Sequence, residues 1–320
     1  MWMALGAVVL GFALLVLGGD WLVRGAEKLA AKLHLTPAVI GLTVVAFGTS
    51  VPELVVSLIA AFDGNPDIAV GNVVGSNILN LALVMGTTAL IIPLTVEKEL
   101  VRLHWPFMFI LSCVAVFFLW NLELSRFEGA ALFTFLIVFT VWMIRSTRLA
   151  QKKQNQLADA NETNVVNDPP LKAILNVFLG VLFLWLGGKV ALWGAVELAT
   201  LWGLTERVIG LTVVALGTST PELVASLVSI YRKQDDIALG NIIGSNIYNI
   251  GCVLGLTSMV TPITFGPQIV AFDVWVMLGT ALFFLPMALI FKRINRFVGI
   301  IYVLSLALYT LWLLQPSLFG

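Results

Sequence analysis

Gly41-Leu-Thr-Val-Val-Ala-Phe-Gly-Thr-Ser-Val-Pro-Glu-Leu-Val-Val-Ser-Leu58 is followed, 169 residues later, by Gly210-Leu-Thr-Val-Val-Ala-Leu-Gly-Thr-Ser-Thr-Pro-Glu-Leu-Val-Ala-Ser-Leu227. The same offset relates Asp67-Ile-Ala-Val-Gly-Asn-Val-Val-Gly-Ser-Asn-Ile-Leu-Asn80 to Asp236-Ile-Ala-Leu-Gly-Asn-Ile-Ile-Gly-Ser-Asn-Ile-Tyr-Asn249. The chain is therefore a duplicated unit, and the polar residues kept in both copies sit inside apolar runs. That combination points to a paired cation site within a membrane.

Hydrophobic residues make up 59% of the chain and charged residues 11%, with a mean hydropathy of +1.00. So little polar surface excludes a soluble domain. The apolar runs are long enough for helical spans and lack the alternation of a transmembrane barrel, so the fold class is all-α integral membrane. Cys113 and Cys252 both lie in apolar stretches and read as packing residues, not a disulfide or a thiolate site. The first apolar run has no basic n-region and reads as a retained helix.

At about 20 residues per span, helices are expected near 3–23, 37–61, 68–92, 104–121, 127–147, 172–192, 206–230, 237–260, 270–291 and 297–315. That makes ten transmembrane helices, organised as a first five-helix repeat over 1–149, a linker over 150–170 and a second repeat over 171–320. The linkers alternate in charge, placing 15 of the 18 basic residues on one side and leaving only Arg126, Lys189 and Arg207 on the other. The positive-inside rule then puts both termini outside and the linker in the cytoplasm. Five is odd, so the second copy enters the membrane in the opposite sense. Such inverted repeats place a binding site near the midplane, where two broken helices meet. The polar linker reads as a flexible tether, and its Asn161-Glu-Thr163 sequon as a chance match on the cytoplasmic side.

Pro52 and Pro221 fall within spans, where proline lacks an N–H donor and crowds the carbonyl four residues earlier. Carbonyls near the two breaks, around Ala46 and Ala215, need a partner that lipid does not provide. Thr49 and Glu53, like Thr218 and Glu222, stand four apart and share a helical face; Ser50 and Ser219 add hydroxyls. The next span carries a polar stripe of Asn72, Ser76 and Asn80, repeated as Asn241, Ser245 and Asn249. Gly71, Gly75, Gly240 and Gly244 would let helices approach closely. Thr, Ser and Asn also serve as plain helix glue. The glutamates do not: a central acidic residue costs about 2.5–3.5 kcal/mol on insertion scales, and neither block contains Lys or Arg. Their compensating charge is expected to be a transported ion or a proton. The donor set is all oxygen, which suits a hard cation such as calcium; His34 and His104 lie outside the blocks, so zinc and copper fit poorly. Asp67 and Asp236, at span ends, read equally as helix caps or as an ion entry.

The linked motifs Gly-Thr-Ser-x-Pro-Glu and Gly-Asn-x-x-Gly-Ser-Asn-Ile, each present twice, resemble the α-repeats of the cation/calcium exchanger superfamily, prokaryotic sodium/calcium exchanger type. The resemblance implies calcium antiport against sodium by alternating access, with the first helix of each half sliding across a fixed core. It implies that Glu53 and Glu222 bind calcium. Thr49, Thr218 and the carbonyls of Ala46 and Ala215 would complete calcium and sodium sites, and Ser50, Ser219, Ser76 and Ser245 would contribute to sodium sites. Relatives often carry aspartate at one of the positions of Asn80 and Asn249, whereas this chain has asparagine at both. Two ionised glutamates then give a charge of −2, which one calcium or two sodium ions neutralise and a third sodium leaves at +1.

The expected protein is a secondary transporter of an inner membrane. It exports calcium, is not an enzyme, has no permanently bound cofactor, and has inorganic cations and lipid as its partners, not nucleic acid. Two alternatives stand beside it: proton/calcium exchange with the same glutamates carrying H+, and a passive cation channel, which the inverted repeat disfavours. An intramembrane enzyme would need a nucleophile and base that do not accompany the acidic pair.

Overall fold

The computed structural model describes residues 1–157, 170–203 and 215–314. Among them the chain is almost entirely helical. Helix α1 is Trp2–Leu33, α2 is Pro37–Thr49, α3 is Val51–Phe62 and α4 is Pro66–Ile91. Strand β1 (Leu94–Thr95), helix α5 (Leu100–Leu119), strand β2 (Glu123–Leu124) and helix α6 (Arg126–Leu157) complete the first half. The second half runs through α7 (Pro170–Leu201), α8 (Ala215–Thr218), α9 (Thr220–Tyr231), α10 (Asp235–Val260), β3 (Ile263–Thr264), α11 (Ile269–Phe291), β4 (Arg293–Ile294) and α12 (Arg296–Leu314). Eight of these helices are long and apolar enough to cross a membrane, and α2 with α3 makes a ninth span bent by 42°.

Several elements outrun the spans read from sequence. Helix α1 was expected to end at 23 and continues to Leu33, and α7, expected to end at 192, continues to Leu201. Charge does not stop a helix whose backbone bonds are already satisfied, and Arg24 is paired with Asp20 one turn earlier (Nη2–Oδ2 2.9 Å). Helix α6 extends to Leu157, so residues 150–157 of the expected tether are helical; 158–169 lie outside the described residues, as do 204–214 at the start of the seventh expected span.

Irregular features recur at the repeat offset. π-Helical turns interrupt α4 over Asn80–Met85 and α10 over Asn249–Leu254, and begin α5 over Leu100–His104 and α11 over Ile269–Asp273. The strand pairs join opposite halves: β1 runs antiparallel to β4, and β2 to β3.

The equivalent helices α1 and α7 pack against each other along their length. A Cβ added to Gly11 would lie 2.5 Å from the Ala191 backbone, one on Gly18 would lie 2.7 Å from that of Leu184, and one on Gly25 would lie 2.8 Å from that of Val177. Residue numbers rise on one helix as they fall on the other, so the two run antiparallel. The glycines recur every seventh residue, and their counterparts Gly180, Gly187 and Gly194 meet Leu22, Leu15 and Ala4 in the same way. This is the small-residue packing by which helices associate in lipid.

The centre belongs to α4 and α10. In their apolar cores 72% and 94% of residues are buried, against 17% for α12 and 28% for α6. The outer helices turn Trp2, Val9, Phe135, Val138, Leu304 and Leu308 outward. An apolar exterior around a centre rich in Asn and Ser fits a protein solvated by lipid.

Candidate ion-binding site

The α2–α3 break sits at Ser50, whose backbone (φ −85°, ψ 0°) leaves the helical region, and Ser219 (φ −87°, ψ 5°) marks the same break before α9. Pro52 and Pro221 follow in the first turn of the new helix, where proline is tolerated because its missing N–H has no role there. Glu53 and Glu222 are therefore first-turn residues, facing the positive end of a helix dipole, which favours a carboxylate. Both are wholly buried and within electrostatic reach of each other.

Among the described residues no hydrogen bond of ordinary geometry reaches Oε1 or Oε2 of Glu53 or of Glu222, although the Thr49 hydroxyl stands near the Glu222 carboxyl. The hydroxyls of Ser50 and Ser219, both amide atoms of Asn80 and Oδ1 of Asn249 are likewise without a hydrogen bond. Buried polar atoms are ordinarily paired, because leaving one unpaired costs about 1–3 kcal/mol and more for a charge. Here they are concentrated at the positions singled out by the repeat.

The two halves interlock at this point. The Thr49 hydroxyl donates to Asn241 Oδ1 (3.2 Å), lies 3.3 Å from Ser245 Oγ, and is 3.3 Å from the Ala46 carbonyl. That carbonyl also accepts from the Ser50 N–H (3.0 Å), so one of its two lone pairs is already engaged in the helix. Close approach is possible because α10 lays Gly240 and Gly244 against α2: a Cβ on Gly240 would fall 2.5 Å from the Ala38 carbonyl oxygen, and one on Gly244 would fall 2.7 Å from the Ala46 Cβ. Ser76 and Ser245 are both buried on the facing helices, and Thr218 is half-buried at the end of α8, whose first residue is Ala215.

The stripe asparagines hold the breaks in place. Asn72 Nδ2 donates to the Glu53 carbonyl (3.2 Å) and to Ser57 Oγ (2.9 Å); Asn241 Nδ2 donates to the Glu222 carbonyl (3.4 Å) and Ser226 Oγ (3.1 Å). Each asparagine ties the backbone of a glutamate to the next helix. Ser57 and Ser226 are additions to the residues expected from sequence; they lie one turn after the glutamates and recur at the repeat offset. Asn77 is another, since it accepts from Asn249 Nδ2 (3.4 Å) across the halves. Replacing Asn241 by Ala removes the acceptor for Thr49 and the donor for Glu222. We expect roughly a tenfold rise in the calcium concentration giving half-maximal transport, from about 1–1.5 kcal/mol of lost hydrogen bonding; an unchanged dependence in a transport assay would rule out this bracing role.

Asp67 and Asp236 lie apart from this centre. Asp67 Oδ1 accepts from the Gly266 N–H at 2.6 Å, pinning α4 to the loop before α11. Asp236 lies beside Glu97, in the loop between β1 and α5, whose carboxyl is raised above its usual range by burial and then by Asp236.

The halves differ on their flanks. A cavity of about 310 Å³ lies between α3 and α7, lined by Val55, Val56, Ile59 and Lys189 together with Thr218 and the two prolines, Pro52 and Pro221, that precede the glutamates in sequence. On the opposite flank α1 packs along α9, closing the equivalent space: a Cβ on Gly19 would lie 3.2 Å from Val228 and 3.4 Å from Val224. Val55 and Val56 are 40% and 37% exposed, whereas their counterparts Val224 and Ala225 are 7% and 0% exposed. Among the described residues, then, the α3–α7 flank is open and the equivalent α1–α9 flank is packed shut.

This arrangement has close relatives. The sodium/calcium exchanger protein family matches residues 3–145 and 172–315. The putative antiporter CaxA of Alkalimonas amylolytica is 38% identical over 93% of this chain and 94% of its own length. The inner membrane protein YrbG of Escherichia coli K12 is 36% identical over 89% and 88%. Among solved structures, the sodium-calcium exchanger NCX_Mj superimposes with a TM-score of 0.80 at 29% identity, over 98% of both chains. Duplicated motifs, the helical membrane fold and full-length similarity agree, and the chain belongs to the sodium/calcium exchanger protein family.

Proposed function

We propose that the protein exchanges calcium for sodium at the site built around Glu53 and Glu222, exporting calcium from the cytoplasm as sodium enters. The observation that carries this reading is the cluster of buried, unpartnered oxygens. They include two carboxylates that interact electrostatically and the two serine hydroxyls at the helix breaks, with no basic residue in either motif block to neutralise them. A hard cation supplies the missing charge and accepts the remaining lone pairs. The site ligands are then Glu53, Glu222, Thr49, Thr218, Ser50, Ser219, Ser76, Ser245, Asn80 and Asn249, with the carbonyls of Ala46 and Ala215. Calcium and sodium are cargo, and they compete for these oxygens.

The transporter is read as ten helices in two inverted repeats, 1–149 and 171–320, with a cytoplasmic linker over 150–170. What supports inversion is that the equivalent helices α1 and α7 run antiparallel. Alternating access follows from such a duplication, and a cavity on one described flank with its counterpart packed shut is the geometry of one of its states. Basic residues expected on the cytoplasmic side are grouped: Arg232 meets Asp20 beside Arg24, Arg148 Nε donates to the Leu33 carbonyl (3.1 Å), and Arg296 donates to that of Ile91 (3.4 Å). That grouping supports termini outside and an inner-membrane location. The closed flank then faces the cytoplasm and the cavity the exterior.

A shared site predicts displacement. Purified protein equilibrated with radioactive calcium is expected to release it when sodium is added and to keep it when potassium is added at the same ionic strength. Retention of calcium in saturating sodium would refute competition at one site.

A further inference from the structure

Asp20, near the middle of α1, is paired with two arginines. Its Oδ1 accepts from Arg232 Nε at 2.8 Å and also from the Arg232 Nη2, and its Oδ2 lies 2.9 Å from Arg24 Nη2. Arg232 is the C-cap of α9, so this ion pair ties α1 to α9 across the closed flank. Both partners are about a quarter exposed.

At the repeat offset Asp20 corresponds to Lys189 on α7, and Arg232 to Asp63, the C-cap of α3. Both charges are reversed, so the second pair is as complementary as the first. Here the second pair is not made: Lys189 has its ammonium 5.3 Å from the centre of the Trp185 ring, Asp63 is exposed, and Lys189 lines the open cavity. Arg232 at a helix C-terminus is favoured by the helix dipole alone, but Asp63 at the same position of α3 is opposed by it. Capping therefore does not account for Asp63, whereas a partner on α7 does.

We propose that Asp20–Arg232 and Lys189–Asp63 are alternately formed latches, one for each access state. The inference rests on the alternating-access reading above. In an inverted duplication the arrangement of one half in one state is taken up by the other half in the opposite state. The contact of α1 with α9 is then replaced by one of α7 with α3, which closes the cavity, brings Lys189 to Asp63 and parts Asp20 from Arg232. Each pair biases the equilibrium toward the state in which it forms.

The test uses the full-length protein in lipid nanodiscs with Cys113 and Cys252 replaced by Ala and Val56→Cys as a reporter. Val56 is half-exposed in the cavity, while its counterpart on the closed flank is fully buried, so maleimide labelling of this cysteine follows opening. Arg232→Gln is expected to slow labelling by at least about twofold, and adding Lys189→Gln to restore it toward the parent rate. The swap Lys189→Asp with Asp63→Lys is expected to label like the parent. No change with Arg232→Gln, or further slowing on adding Lys189→Gln, overturns the proposal, because loss of mere packing has no reason to be reversed by a second loss. Asp20→Asn gives the same reading if Arg232→Gln does not fold. Sodium-driven calcium flux by the parent in proteoliposomes separates the two levels. Flux without the opposed shifts removes the latches alone, and opposed shifts without flux remove the exchange reading while leaving a two-state latch.

Discussion

Glu53→Gln and Glu222→Gln are each expected to abolish calcium transport, with the protein still folded. Glutamine keeps the shape of the side chain and one acceptor oxygen, but removes a full negative charge. Two unit charges 4 Å apart interact by about 4 kcal/mol at an effective dielectric constant of 20, and a divalent ion feels more. Calcium affinity should therefore fall by roughly three powers of ten or more, since each 1.4 kcal/mol is about tenfold. Folding should not suffer in the same way, because among the described residues each carboxylate is buried without a basic group or a hydrogen bond of ordinary geometry, and a neutral amide is cheaper to bury than an unpaired charge. The combined signature is a melting temperature in cation-free buffer that does not fall, loss of the rise that bound calcium gives the wild type, and loss of uptake. A glutamine variant exchanging calcium at the wild-type rate would reduce the repeat to a packing motif.

Gly240→Val is expected to remove activity by a different route. The added Cβ would lie 2.5 Å from the Ala38 carbonyl oxygen and 3.0 Å from the Leu42 nitrogen. These are backbone atoms, which cannot rotate aside, so α10 must move away from α2. Overpacking of a core typically costs about 1–3 kcal/mol; a backbone clash on the most buried helix should reach the top of that range or exceed it. Separation of the helices also draws Asn241 and Ser245 from Thr49, whose contacts are already 3.2 and 3.3 Å. Thermal melting and calcium uptake should both drop steeply. Gly279→Ala is the control: no described atom lies within 4 Å of the new methyl, and alanine is the better helix former. Equal behaviour of the two variants would show that the α2–α10 approach is not limiting.

The paired motifs made the membrane class, the duplication and the burial of both glutamates legible in the sequence. Charge buried in an apolar run has few physical explanations, and the structure brings Glu53, Glu222, Thr49, Asn241 and Ser245 together as the spacing suggests. Less legible was everything set by partners distant in sequence. Asp20 and Arg24 resemble the polar end of a span, yet α1 continues past them because Arg232, 212 positions away, satisfies Asp20. The π-helical turns at Asn80 and Asn249 add a residue to a turn without altering composition, so periodicity gives no sign of them. Two-residue strands such as β1 exist only through their pairing with β4. The seven-residue glycine spacing in α1 and α7 is plainly present in the sequence, but a glycine stripe does not name its partner. Ser57 and Ser226 lie within the repeated blocks and look like ordinary helix glue until Asn72 and Asn241 are seen to use them.

Exchange of sodium for calcium through the two glutamates is tested by radioactive calcium uptake into proteoliposomes. Vesicles loaded with sodium should accumulate calcium, vesicles with only a pH gradient should not, and Glu53→Gln should accumulate none in either case. Uptake that follows the pH gradient in the absence of sodium would contradict the account and make the glutamates proton carriers in a proton/calcium exchanger.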